Sequence, residues 1–140
     1  LAAQVPISPP SPIDFYAIVS PLPESPTQGQ IRTLIAQSAG YYGISGYLAL
    51  ELSWIESQHN PLARNPSSTA KGIYQFLDNS WKLCEGNVFN TENNVRCAHR
   101  LLSEDPNNIR HWTADPNTRS KLIKAGLVEC FEGKNNCYLK

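Results

Sequence analysis

At 140 residues the chain has room for one compact domain and little more. Its 12 Lys and Arg balance 12 Asp and Glu, so bulk charge gives no hold on a polyanion, and nucleic acid is not an expected partner. Hydrophobic residues make up 41%, enough for a core, while no apolar run approaches the roughly 20 residues of a membrane span. Composition thus excludes a membrane channel, collagen and a coiled coil. Methionine is absent even at position 1. A processed chain is expected, with a signal peptide ahead of Leu1-Ala2-Ala3-Gln4.

Seven of the 11 prolines fall within residues 1–26, with only Asp14 and Glu24 as charges. Proline fixes φ and removes a backbone donor, so residues 1–27 are expected to form an extended arm or linker. Phe15-Tyr16-Ala17-Ile18-Val19 is its apolar piece, suited to docking on the domain surface. Residues 28–140 form the expected domain. Ile31, Leu34 and Ile35 repeat at helical spacing over 29–41. A second helix is predicted over 46–57, capped by Ser45. Residues 64–77 mix Arg, Asn, Pro, Ser and Gly before Ile73-Tyr74-Gln75-Phe76, which predicts a loop or small β element. Asp78 is the expected cap of a short helix through Trp81 and Leu83. Thr91 is the expected cap of one running to about Leu102, with Glu92 in its first turn. Asp105-Pro106 and Asp115-Pro116 each pair a cap residue with a proline at the first helical position. Gly126 closes the last helix. Trp54 and Trp81 are expected in the core.

Four cysteines remain, with no C-x-x-C pair and no zinc spacing. Their even number points to an oxidising compartment, periplasmic or extracellular. Three pairings are open. Cys84–Cys97 would join consecutive helices and Cys130–Cys137 would close a tail loop, and this is the favoured arrangement.

The densest chemical signal is Glu56-Ser57-Gln58-His59-Asn60-Pro61, after an apolar helix and ended by the Asn-Pro step. Glu56 lies roughly 40° from Leu52 around that helix, on the margin of the stripe Leu48, Leu52 and Ile55. Desolvation there raises a carboxyl pKa and suits a general acid. Glu51 flanks the stripe on its other side, so spacing alone leaves both open. Gly72 would let a backbone approach a ligand closely, and Tyr74 and Gln75 offer a ring and an amide, which suit carbohydrate. No phosphate-binding glycine loop is present. His59, His99 and His111 share no metal-ligand spacing, and His59 and His111 are expected at the surface.

Taken in order, Glu56-Ser57, Asn60-Pro61, Ala63, Gly72-Ile73-Tyr74-Gln75, Asn94-Val95 and Trp112-Thr113-Ala114-Asp115-Pro116 resemble the lytic transglycosylase and goose-type lysozyme superfamily over about residues 30–125. The resemblance has departures. Asn65 stands where a serine is usual, with Ser67 or Ser68 as replacements. The spacing from Glu56 to Gln75 is one residue longer than the common pattern. Leu101 and Trp112 stand where tyrosines are usual, and Thr113 replaces an asparagine.

The resemblance implies a mainly α, lysozyme-like fold with a small β or loop element beside the cleft. It implies cleavage of peptidoglycan glycan strands between N-acetylmuramic acid and N-acetylglucosamine, outside the cytoplasm, by a monomer needing no metal or organic cofactor. Glu56 would be the catalytic acid. Ser57, Asn65, Tyr74, Gln75, Asn94 and Trp112 would bind substrate, with Ser57 orienting Glu56 and Trp112 acting as a sugar platform. A two-carboxylate glycosidase needs a second acid, and the nearest downstream, Asp78 and Glu85, read as helix-terminal residues. Single-acid chemistry closing a 1,6-anhydro sugar is therefore expected. A hydrolytic muramidase, a non-catalytic peptidoglycan- or chitin-binding module and a disulfide-stapled structural protein are the rival readings. An envelope-machinery partner would be held through the arm.

Overall fold

The computed structural model describes residues 21–140. The greater part of the expected arm, with its apolar piece at 15–19, lies outside the described residues. From residue 21 onward the chain runs as four helices, a short 3-10 turn, two more helices and a two-stranded antiparallel sheet.

Helix α1 (Gln28–Tyr42) opens on a capping box. The Thr27 hydroxyl accepts the Gln30 backbone N–H, and the Gln30 side chain accepts that of Thr27. Ile31, Leu34, Ile35, Ser38, Ala39 and Tyr42 form its buried stripe. Gly43, left-handed at φ 71°, ends it and donates to the Ala39 and Gly40 carbonyls. Helix α2 (Gly46–Ser57) is capped by Ser45, as its sequence predicts. It stops earlier than Asn60-Pro61. Gln58 and His59 both turn left-handed, at φ 53° and 61°, and the Gln28 side chain donates to both of their carbonyls.

The 64–77 segment is a tight loop closed by single β-bridges, Arg64 with Lys71 and Lys71 with Phe76. Helix α3 (Asp78–Trp81) departs from expectation. Leu77 holds the cap position, and the Asp78 carboxylate pairs with the Lys71 ammonium at 2.9 Å. Leu83 lies beyond the helix. In α4 (Thr91–Glu104) the cap is Asn90 rather than Thr91, because its carbonyl oxygen reaches the Asn93 N–H at 2.9 Å. Thr91 is instead buried in the first turn. The two Asp-Pro signals start a 3-10 turn (Pro106–Ile109) and α6 (Pro116–Lys124), with α5 (Arg110–Thr113) between them. Gly126, at φ 74°, then turns the chain into β1 (Val128–Cys130), which pairs with β2 (Cys137–Leu139).

Both disulfides follow the favoured pairing, Cys84–Cys97 and Cys130–Cys137. Cys130 and Cys137 are also direct partners across the ladder, so the bridge staples the strand pair. The core gathers α1, α2 and α4 around Leu34, Ile35, Leu52, Ile73, Tyr74, Val95 and Ile109, each 0–1% exposed. Trp81 packs against that core from its edge. Trp54 does not enter it: the residue is 47% exposed, and among the described residues its ring meets that of His59 edge-on. His59, expected at the surface, is buried, and its Nε2 bonds the Leu50 carbonyl.

Candidate active site

Glu56 stands one residue before the end of α2, partly buried. Its Oε1 accepts a 2.7 Å hydrogen bond from the Thr118 hydroxyl, on the first turn of α6. Burial pushes the carboxyl up to about 7. The Thr118 bond pulls it down, the Asp115 carboxylate pushes it up, and the Lys121 ammonium lowers it slightly. A carboxyl in this state is divided between acid and base forms near neutral pH, as general acid–base work requires. Glu51, the other candidate from spacing, has no comparable partner among the described residues.

Next to the acid, Ser57 ties α2 to the loop. Its hydroxyl donates to the Ile73 carbonyl at 2.7 Å and to the Ser53 carbonyl at 3.2 Å, so it acts on backbone rather than on Glu56. Gln75 follows in a left-handed conformation, φ 54°. Its amide N–H groups donate to the Ala63 and Gly72 carbonyls, which leaves the half-buried side-chain oxygen as an uncommitted acceptor among the described residues. Asn65 is exposed, its side-chain oxygen accepting the Ser67 N–H.

Three of the expected substrate contacts are instead internal. Tyr74 is fully buried. Its hydroxyl donates to the Ala49 carbonyl and meets His99 Nε2 at 2.6 Å, and His99 Nδ1 in turn meets Ser38. Trp112 is 4% exposed, with its ring edge-on to Tyr74 and Phe76, and its N–H donates to the Tyr74 carbonyl at 2.8 Å. It is a core wedge under the loop and presents no face for sugar. Asn94 is buried as well. Its oxygen accepts the Tyr74 N–H and its nitrogen donates to the Val88 carbonyl. Together these residues fix both backbone polar groups of Tyr74, and so set where Gln75 begins. Sequence reasoning missed Thr118, for which the Asp115-Pro116 signal locates the helix start but not what it faces.

A family model described as the transglycosylase SLT domain matches residues 33–119, a span that holds Glu56, the Gly72–Gln75 loop and Thr118. Neither curated proteins nor solved structures match the chain. The matched span covers more than half of the sequence, and the chain accordingly belongs to the transglycosylase SLT domain family, peptidoglycan-acting proteins of lysozyme-like, mainly α fold.

Proposed function

We propose that this chain is a lytic transglycosylase that cleaves the bond between N-acetylmuramic acid and N-acetylglucosamine with Glu56 alone. The carrying observation is the partly buried Glu56 carboxyl, pushed up to about 7 and held by Thr118. In the first step its proton passes to the glycosidic oxygen as the C1–O bond breaks, and the substrate's 2-acetamido oxygen closes on C1. Glu56, now a carboxylate, then takes the proton of the sugar's 6-hydroxyl as O6 displaces the acetamido oxygen. The product is a 1,6-anhydro sugar, and no water is consumed. Gln75, through its open amide oxygen, and the exposed Asn65 are the substrate contacts that the geometry supports best. The two disulfides favour an oxidising compartment outside the cytoplasm. No helix among the described residues is long and apolar enough to cross a membrane.

Asp115 gives the hydrolytic reading its one support, since it is the acid whose charge raises Glu56. Its Oδ1 is engaged in capping the Asn117 N–H, which favours a structural role. Mass spectrometry of soluble products from purified peptidoglycan separates the readings. Anhydro-muropeptides from the wild type, absent with Glu56→Gln and retained with Asp115→Asn, are the expected result. Ordinary reducing ends that vanish with Asp115→Asn would mean hydrolysis. Binding without products from the wild type would sink the enzyme claim.

A further inference from the structure

We infer that Thr118 is the positioning residue of the acid: its hydroxyl fixes which Glu56 oxygen carries the proton. The inference rests on Glu56 being the catalytic acid and adds a residue that the sequence motifs do not contain.

The donor groups nearest in the motifs are all committed elsewhere. The Ser57 hydroxyl bonds Ile73 and Ser53, the Gln75 amide bonds Ala63 and Gly72, and the Trp112 N–H bonds Tyr74. Among the described residues the hydrogen bond to Glu56 comes from Thr118. Its side chain is well placed to hold direction. Thr118 is 2% exposed, on a helix whose start is fixed by several bonds. Asp115 caps Asn117, Pro116 sets the first turn, and the Arg119 guanidinium donates back to the Thr113 carbonyl.

A hydroxyl donating to Oε1 makes that oxygen the acceptor of the pair and the poorer site for the proton. The acid proton therefore sits on Oε2. After transfer, Oε2 is also the free oxygen that accepts the 6-hydroxyl proton. The terminal torsion of a glutamate is broad, so without this bond the carboxyl would sample orientations that present either oxygen. The bond strengthens as Glu56 ionises, because hydrogen bonds to charged groups are the stronger ones. The charged groups acting on Glu56 are Asp115 and Lys121, both from the α6 region and opposite in sign. None comes from α2 or from the 64–77 loop.

The test is a direct titration. The Glu56 carboxyl carbon is followed by NMR in protein labelled with 13C at the glutamate side-chain carboxyl, and assigned by its loss in Glu56→Gln. Thr118→Val keeps the volume and removes the donor. Its Glu56 is expected to titrate about one pH unit above wild type, the charged form having lost its bond. Thr118→Ser, which keeps the hydroxyl, should titrate close to wild type. Product release should follow: about 10-fold slower in Thr118→Val, with its alkaline limb moved up in pH, and largely restored in Thr118→Ser. If Thr118→Val does not fold, Thr118→Ala removes the same donor without adding a methyl. A donor-less variant that titrates with wild type, or a Thr118→Ser no better than it, overturns the inference. Absence of product from wild type overturns the reading of Glu56 as an acid, while the titration still reports on the bond itself.

Discussion

Gly72 shows how little freedom the loop beside the acid has. Its φ is +80°, and a Cβ there would stand on the Asn94 side-chain nitrogen and the Val88 carbonyl, which bond each other. Gly72→Ala therefore meets both left-handed strain and a buried clash, and should lower unfolding free energy by about 3 kcal/mol in urea titration. A loss under 1 kcal/mol would mean the loop yields, and Gln75 would then not be rigidly placed. At this scale the sequence is legible where chemistry is local. The apolar margin made Glu56 and Glu51 both readable, and the Glu56-Ser57 motif singled out the first. Trp112, Tyr74 and Asn94 were not, because what buries them lies 20 to 38 residues away along the chain. Trp54 and Trp112 exchange their expected roles for the same reason: an indole reads alike in a sequence whether a loop or solvent covers it. Thr118 was further still from reach, 62 residues from the carboxylate it bonds.

Helix starts carry a sharper signal when the cap residue stands alone. Ser45, Asp105 and Asp115 were legible, the last two because proline follows at a position where no N–H is required. Asn90-Thr91 offers two competent caps in a row, and the bond from the Asn93 N–H to the Asn90 side chain, with Thr91 buried, decides for Asn90. Asn90→Ala should therefore cost about 1 kcal/mol of stability by thermal denaturation, the usual loss for an N-cap amide. A neutral result would return the cap to Thr91. The end of α2 at Ser57 agrees with the sequence, but the turn of Gln58 and His59 that makes it was not legible, because neither residue carries a breaker signal. Their left-handed turn is held from outside, by the Gln28 side chain on both carbonyls. The tail sheet escaped notice because three-residue strands show no period; Cys130 and Cys137 pair across it and supply by covalent bond what strand length cannot.

For the whole molecule, two buried groups make stability depend on pH in opposite senses. Burial holds His99 neutral down to about 3, against the usual 6.5 of a histidine. Between those values the unfolded chain binds a proton that the native protein refuses, so His99 makes stability rise with pH, by about 1.4 kcal/mol per unit. Glu56 does the reverse. Its folded pKa of about 7 lies above the usual 4.5 of a glutamate, so over that interval the native state holds a proton that the unfolded chain has released. Stability from this group is complete below 4.5 and is lost as pH rises through 7, at the same slope. Between about pH 4.5 and 6.5 the two slopes offset each other. His59, whose pKa burial also lowers, adds to the His99 sense and tilts the balance slightly upward. Wild type should therefore show a nearly flat unfolding free energy across that interval in urea titrations. Glu56→Gln removes one side of the balance. It should expose the histidine slope of about 1.4 kcal/mol per pH unit and make the variant more stable than wild type at pH 8 by about 3 kcal/mol. Parallel profiles for wild type and Glu56→Gln would show that Glu56 is not desolvated in the folded protein, and a flat profile in the variant would show that His99 is not held neutral. The same measurement bears on the proposed function, because a carboxyl that destabilises the fold near neutral pH is one whose presence stability does not explain.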